Sequence, residues 1–235
     1  MGLFHGTAPY YARFRPQYPP ELIARLAAAA GLDRTARVLD LGAGPGHVAV
    51  AVAGHAGEVV AVDPEPEMLE QIDAPNVRTV LGRAEDVDAS WGWFDLVTAG
   101  RSFHWFDRAL MFERLPLVTS QLALLGDSVL QSDAQSAAVD IAAELLGEER
   151  PSRRRDFYAD VLAASPFDDV VELSADAERT WTAESLIGLV YSTSFAPRLA
   201  DRRAELERRV RERFGEDEVH ERVTVSALLG RRRGG

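Results

Sequence analysis

The sequence predicts an α/β fold in which a parallel sheet is covered by helices on both faces. Three observations carry that expectation. Short apolar runs alternate with helical stretches between residues 36 and 130, and the first run ends in a glycine-rich turn. The chain also has 235 residues with 46% hydrophobic content, enough for a sizeable core.

The elements follow in order. Pro19 and Pro20 open a helix whose apolar stripe is Leu22, Ile23 and Leu26, and Gly31 stops it. Ala36 to Leu41 (ARVLDL) reads as a strand, Val48 to Ala53 as a buried helix, and Glu58 to Val62 as a second strand ending at Asp63. The unit then repeats. Pro64 to Ile72 fits a helix, Val77 to Leu81 and Phe94 to Ala99 fit strands, Arg108 to Ser120 a helix, and Leu122 to Leu130 a strand. Beyond residue 130 the alternation weakens. Two helices are expected within 134–165, separated near Pro151, with one short strand at Val170 to Leu173. Residues 182–214 read as helical, interrupted at Ala196-Pro197, before a last strand at Arg222 to Leu229 (RVTVSALL). The extra helices are candidates for a cap over the carboxyl edge of the sheet, where open α/β sheets bind ligands.

Composition removes several functions. There is no cysteine, hence no disulfide, thiol nucleophile or thiolate metal site. All 26 basic residues are arginine, which removes a lysine Schiff base and a P-loop lysine. The net charge of −11 opposes nucleic acids and anionic membranes. No stretch approaches the roughly twenty apolar residues of a membrane span, no signal-peptide pattern opens the chain, and Gly6 stands where myristoylation requires Ser or Thr. A cytoplasmic protein is expected. His5, His47, His55 and His220 lack metal-ligand spacing and Asp107 has no second carboxylate beside it, so no metal is expected.

VLDLGAGPGH places Asp40 at a strand end, followed by Gly42, Gly44 and Gly46. Glycines at such a turn let backbone N–H groups and a helix N-terminus approach an anionic group. Gly44, Gly46 and Ala49 also satisfy a dinucleotide fingerprint, with Asp63 in range of a ribose, which keeps a nicotinamide-dependent oxidoreductase open. Asp40 favours a cofactor with an amino group, because it would repel a pyrophosphate. Gly82-Arg83-Ala84-Glu85-Asp86 ends the third strand with paired acids able to accept from an exocyclic amine.

Asp40, Gly42, Gly44 and Gly46 match the D/E-x-G-x-G-x-G motif of the class I S-adenosylmethionine (SAM) methyltransferases, which the whole chain resembles. YYARFRPQYPPEL before the first helix and SFHWFD after the fourth strand resemble the small-molecule, type 11-like branch of that family. The resemblance implies one domain over 1–235 with a Rossmann-like seven-stranded sheet, mostly parallel, and an antiparallel last strand. It also implies an N-terminal lid at about 1–20, a cofactor-binding core at about 35–130, and helical cap elements at about 134–165 and 182–214. The family's Lys/Arg-Pro-Gly-Gly turn before the fifth strand is replaced here by LPLVTSQLALLG. The fourth strand lacks the N/D-P-P-Y/F sequence of nucleic-acid amino-methyltransferases, which again points away from DNA.

The resemblance implies that Asp63 holds the ribose hydroxyls, that Pro64 belongs to the cofactor site, that Met68 lies near the adenine, and that Ala84 with Glu85 or Asp86 frames its edge. Ala43, Ala99 and Gly100 complete the cofactor site, and Arg15 or Tyr18 reaches the cofactor carboxylate. An N-cap before Pro64 would also account for Asp63, and surface solvation for Glu85 and Asp86. Tyr11, Arg101, Ser102, Phe103 and Trp105 are expected to form the acceptor wall, its rings covered by ligand and cap. His104 is the candidate base, since an imidazole titrates near neutrality; a packing or orienting role is the alternative. Arg198 to Arg213 reads instead as a solvated face, with Glu205 paired to Arg209 and Glu207 to Arg211. Donation of the methyl group would leave S-adenosylhomocysteine. A non-catalytic SAM-binding protein remains the third reading.

Overall fold

The computed structural model describes residues 6–126, 132–148 and 158–233. Within them the strands are β1 (Arg37–Leu41), β2 (Glu58–Asp63), β3 (Val77–Leu81), β4 (Leu96–Gly100), β5 (Gln121–Leu125), β6 (Asp169–Trp181) and β7 (Val219–Arg231). They form one seven-stranded sheet in the order β3-β2-β1-β4-β5-β7-β6. Pairing is parallel from β3 through β5, and β7 runs antiparallel to β5. The expected Rossmann-like α/β class is therefore the observed one. The inner strands are apolar on both sides because helices cover both faces: every residue of VLDL in β1 and VVAVD in β2 is buried.

From β1 the chain winds outward to β3, then returns to β4 on the other side of β1. That reversal is a topological switch point, and the crevice it opens lies at the carboxyl ends of β1 and β4.

Chain contacts divide the fold into two compact units. The first comprises residues 18–126, 158–175 and 225–233, and holds β1 to β5. Its helix α2 (Pro20–Ala30) buries Leu22, Ile23, Leu26, Ala27 and Ala30, and ends at Gly31 with φ of 69°. Helices α3 (His47–Ala53), α4 (Pro66–Leu69), α5 (Arg108–Arg114) and α7 (Tyr158–Ala163) also belong to it. Leu39, Val60, Phe94, Val97, Phe103, Met111 and Leu122 form its core.

The second unit comprises residues 6–17, 132–148 and 176–224, with helices α1 (Ala8–Phe14), α6 (Asp133–Leu146), α8 (Ala183–Tyr191) and α9 (Arg203–Phe214). The Phe14 ring fills the space beside Gly188, where an added β-carbon would meet it at 2.3 Å. Tyr10 meets Tyr191 edge-on at 5.2 Å, and Arg15 Nε donates to Ser192 Oγ at 2.8 Å. On α9, Arg209 Nε donates to Glu205 at 2.8 Å and Arg211 to Glu207 at 3.1 Å, a self-paired face.

Four elements differ from expectation. The helix expected over Pro64 to Ile72 is the single turn α4, because Asp63 accepts from the Glu65 amide and holds residues 63–65 in a turn that Pro66 ends. The helix expected over Arg108 to Ser120 stops at Arg114; Pro116 follows inside a 3₁₀ turn, Leu115–Leu117. The short strand expected at Val170 to Leu173 is the thirteen-residue β6, whose alternation of acids and small residues suits a sheet edge. Residues 8–14, read only as a lid segment, form α1. The fifth strand ends at Leu125, and residues 127–130, Pro151 and His5 lie outside the described residues.

Candidate active site

At the switch point the glycine turn connects β1 to α3. Gly46 caps α3 with φ of 86° and has no side chain to satisfy the helix's first amides. Asp40 supplies what is missing. Its Oδ2 accepts from the Ala49 amide at 3.1 Å, so a carboxylate on the preceding strand does the work of an N-cap side chain. Its Oδ1 accepts from the Thr98 hydroxyl at 2.8 Å, and the two residues are direct register partners on β1 and β4. Asp40 is 1% exposed and Thr98 wholly buried. Burial drives the Asp40 carboxyl up to about 7, with Thr98 and Ala49 pulling it down and the charge of Asp63 adding to the rise.

The three glycines have different reasons to be glycine. All have positive φ, at 62°, 53° and 86° for Gly42, Gly44 and Gly46. A β-carbon on Gly42 would stand 2.6 Å from Ser102 Cβ, and one on Gly46 would stand 2.8 Å from Ile72 Cγ1. Only at Gly44 does it meet nothing within 4 Å, so of the three, Gly44 alone faces open space. Of the three, the middle glycine alone has side-chain space that no protein atom takes; at the outer two the missing side chain makes room for protein. Ala43 between them is buried.

Asp63 at the end of β2 closes the other side of this opening. Its Oδ2 accepts from the Gly44 amide at 2.8 Å and its Oδ1 from the Glu65 amide at 2.9 Å. The N-cap expected at Asp63 is not formed: Glu65 stands at the N-cap of α4, and Asp63 makes a turn with its amide instead; a ligand contact stays open to Asp63, because a carboxylate offers about four lone-pair sites and these bonds take two. Burial raises its pKa, against the two amides. Pro64 is exposed and Met68 buried. After β3, Ala84 is buried, Asp86 accepts from the Arg83 amide at 2.8 Å, and Glu85 Oε1 accepts from the Asp107 amide at 2.9 Å. Glu85 thus ties this turn to the segment after β4.

That segment begins at Ala99, buried, and Gly100, where an added β-carbon would meet Val48 Cγ2 at 2.5 Å and the Tyr18 hydroxyl at 3.0 Å. Arg101 follows with φ of 58°, a left-handed conformation that is uncommon for an arginine. Its guanidinium lies 4.7 Å over the Tyr18 ring and 3.5 Å from His47 Nδ1. Ser102 Oγ donates to the Leu41 carbonyl at 2.8 Å, which fastens the segment to the end of β1. Phe103 is 2% exposed and packs on Phe106, Phe112 and Tyr158, so protein rather than ligand covers it. His104 is exposed and Trp105 is 48% exposed, their rings 4.6 Å apart.

The fold thus gathers Tyr18, Asp40, the glycine turn, Asp63, Ala84, Glu85, Asp86 and residues 99–105 into one unit. Tyr11 and Arg15 belong to the other, where the Arg15 guanidinium lies 5.1 Å over Tyr11. Sequence reasoning did not single out Thr98. Its signal was available: it is the lone polar residue in the run LVTA. Among the described residues no three His, Asp or Glu side chains come together as a metal site, and no helix is long and apolar enough to cross a membrane.

Comparisons with known proteins bear on this arrangement. A methyltransferase domain family matches residues 38–115, from β1 through α5. An uncharacterized methyltransferase of Mycobacterium tuberculosis is 34% identical over 199 residues, covering 83% of this chain and 78% of its own. A methyltransferase-like protein of Schizosaccharomyces pombe is 28% identical over 201 residues, with the same shares covered. Among solved structures, a type II methyltransferase from Anaeromyxobacter dehalogenans superposes with a TM-score of 0.59 at 24% identity, covering 93% of this chain and 98% of its own.

Proposed function

The chain belongs to the class I SAM-dependent methyltransferases, and on that premise we propose that it transfers a methyl group to a small organic acceptor, by in-line displacement and without a metal ion. The observation that carries this reading is the opening at Gly44 beside Asp63, placed at the switch point of the sheet. The residues present fit the cofactor: Gly44 leaves space, Asp63 keeps acceptor capacity for ribose hydroxyls, and Met68 and Ala84 offer apolar surface to a purine. Asp40 supplies negative charge toward an amino group. When bound, SAM supplies an electrophilic methyl group on a sulfonium that leaves as a neutral thioether.

The leaving group needs no acid, so the protein's tasks are positioning, water exclusion and, for a hydroxyl or ammonium acceptor, removal of a proton. Arg101, Ser102 and Trp105 would shape the acceptor side. Phe103 supports that wall from beneath. His104, exposed beside Trp105, would be the group to take a proton from an acceptor. The net charge of −11 favours a small acceptor over a nucleic acid.

Mass spectrometry of small-molecule pools incubated with the protein and SAM, unlabelled or carrying a deuterated methyl group, tests the reading. A product heavier by one methyl in place of one hydrogen, and shifted further by the labelled donor, is expected. Methylation confined to nucleic acid or protein would contradict it.

A further inference from the structure

The closer partner of the Thr98 hydroxyl is Asp40, at 2.8 Å. The residue is wholly buried, in direct register with Asp40, and its hydroxyl points at the one carboxylate that caps α3. A polar side chain inside an otherwise apolar parallel strand is costly unless it is hydrogen-bonded. Its second contact, to the Leu39 carbonyl at 3.5 Å, is long. We propose that Thr98 is a positioning residue for methyl transfer, which keeps Asp40 an ionised acceptor at the first turn of α3 and so holds the glycine turn in its binding shape. The inference rests on the cofactor site proposed above and deepens it.

The two oxygens of Asp40 have different partners. Ionised, the carboxylate accepts from both Thr98 and Ala49, and together these bonds offset part of the cost of burial. With the Thr98 hydroxyl removed, one amide remains to stabilise the charge. The carboxyl then holds its proton to higher pH, and the neutral acid is both a weaker cap for α3 and a poorer counter-charge for a cationic cofactor. The elements packed against β1 carry Glu58 and Asp63 on β2 and His47 on α3; β4 itself has no charged side chain, and Arg101 follows it. Asp63 is the group among these whose charge raises Asp40 further. Nothing on β4 but Thr98 therefore favours ionisation.

The test is calorimetric binding of SAM and S-adenosylhomocysteine from about pH 5.5 to pH 9, for wild type, Thr98→Val and Thr98→Ser. In wild type, affinity is expected to fall as pH drops below the Asp40 midpoint, as proton linkage requires. Thr98→Val should move that midpoint up by about one unit or more, and Thr98→Ser, which keeps the hydroxyl, should return it. A folded Thr98→Val protein with an unshifted midpoint overturns the assignment. Should Thr98→Val not fold, Thr98→Ala takes its place: carbon NMR titration must show its Asp40 carboxyl midpoint above that of wild type, and an unshifted midpoint overturns the proposal. Absence of binding by wild type at every pH would instead remove the cofactor site on which both readings stand.

Discussion

A β-carbon added to Gly42 would stand 2.6 Å from the β-carbon of Ser102, whose hydroxyl is itself bonded to the end of β1. The first glycine of the turn is therefore a packing requirement, whereas Gly44, with nothing within 4 Å, is the one whose side-chain space a ligand can use. Gly42→Ala should accordingly lower the melting temperature through both its φ of 62° and the collision. Gly44→Ala carries only the conformational cost, about 1–2 kcal/mol, and should lose affinity for S-adenosylhomocysteine out of proportion to stability. Thermal melts alongside calorimetry separate the two; equal ratios of lost stability to lost affinity would refute the distinction.

The Asp40 carboxyl, raised by burial from 3.8 to about 7, binds its proton more tightly in the folded than in the unfolded chain. Its contribution to stability is therefore complete below about pH 4 and is lost as pH rises through about 7. Asp40→Asn removes that loss. The ligand-free variant should gain stability over wild type as pH rises from about 4 to about 8. Urea unfolding at both pH values checks it, and a variant destabilised equally at the two would count against a buried titrating Asp40.

Phe103 and Trp105 are two residues apart and should behave oppositely. Phe103→Ala empties a site enclosed by Phe106, Phe112 and Tyr158 and should cost about 3–5 kcal/mol. Trp105, 48% exposed, should change stability by about 0.5 kcal/mol or less on replacement by alanine. If Trp105→Ala instead unfolds the protein, its place on the acceptor side is wrong.

Much of this was legible in the sequence. The parallel strands announced themselves as apolar runs because both faces are buried, and Asp40 through Gly46 marked the switch point. What could not be read was which atom each glycine avoids, since Ser102 and Ile72 reach the turn from distant segments. The rings of SFHWFD were expected to share one wall, yet their spacing does not reveal that Phe103 turns inward onto Tyr158 while Trp105 faces outward. The length of β6 was hidden because an edge strand with one solvated face lacks the apolar run that identified its neighbours.

In the unit that contains α1, Gly188 exists for the Phe14 ring, which lies 2.3 Å from where a β-carbon would be. Gly188→Ala should release α1, by about 1–3 kcal/mol of overpacking, and amide exchange over residues 8–14 should accelerate. In a Phe14→Ala background the same substitution should cost much less. Additive effects of the two changes would show that the contact is not the reason for the glycine.

Asp63 and the opening at Gly44 would hold a SAM-type cofactor, and calorimetric titration with S-adenosylhomocysteine measures that binding. Saturable binding to one site per chain is expected, with no binding of NAD, and Asp63→Ala should lose about 100-fold or more in affinity while remaining folded. Binding that Asp63→Ala leaves unchanged, or a preference for NAD, would remove the cofactor site from Asp63 and Gly44.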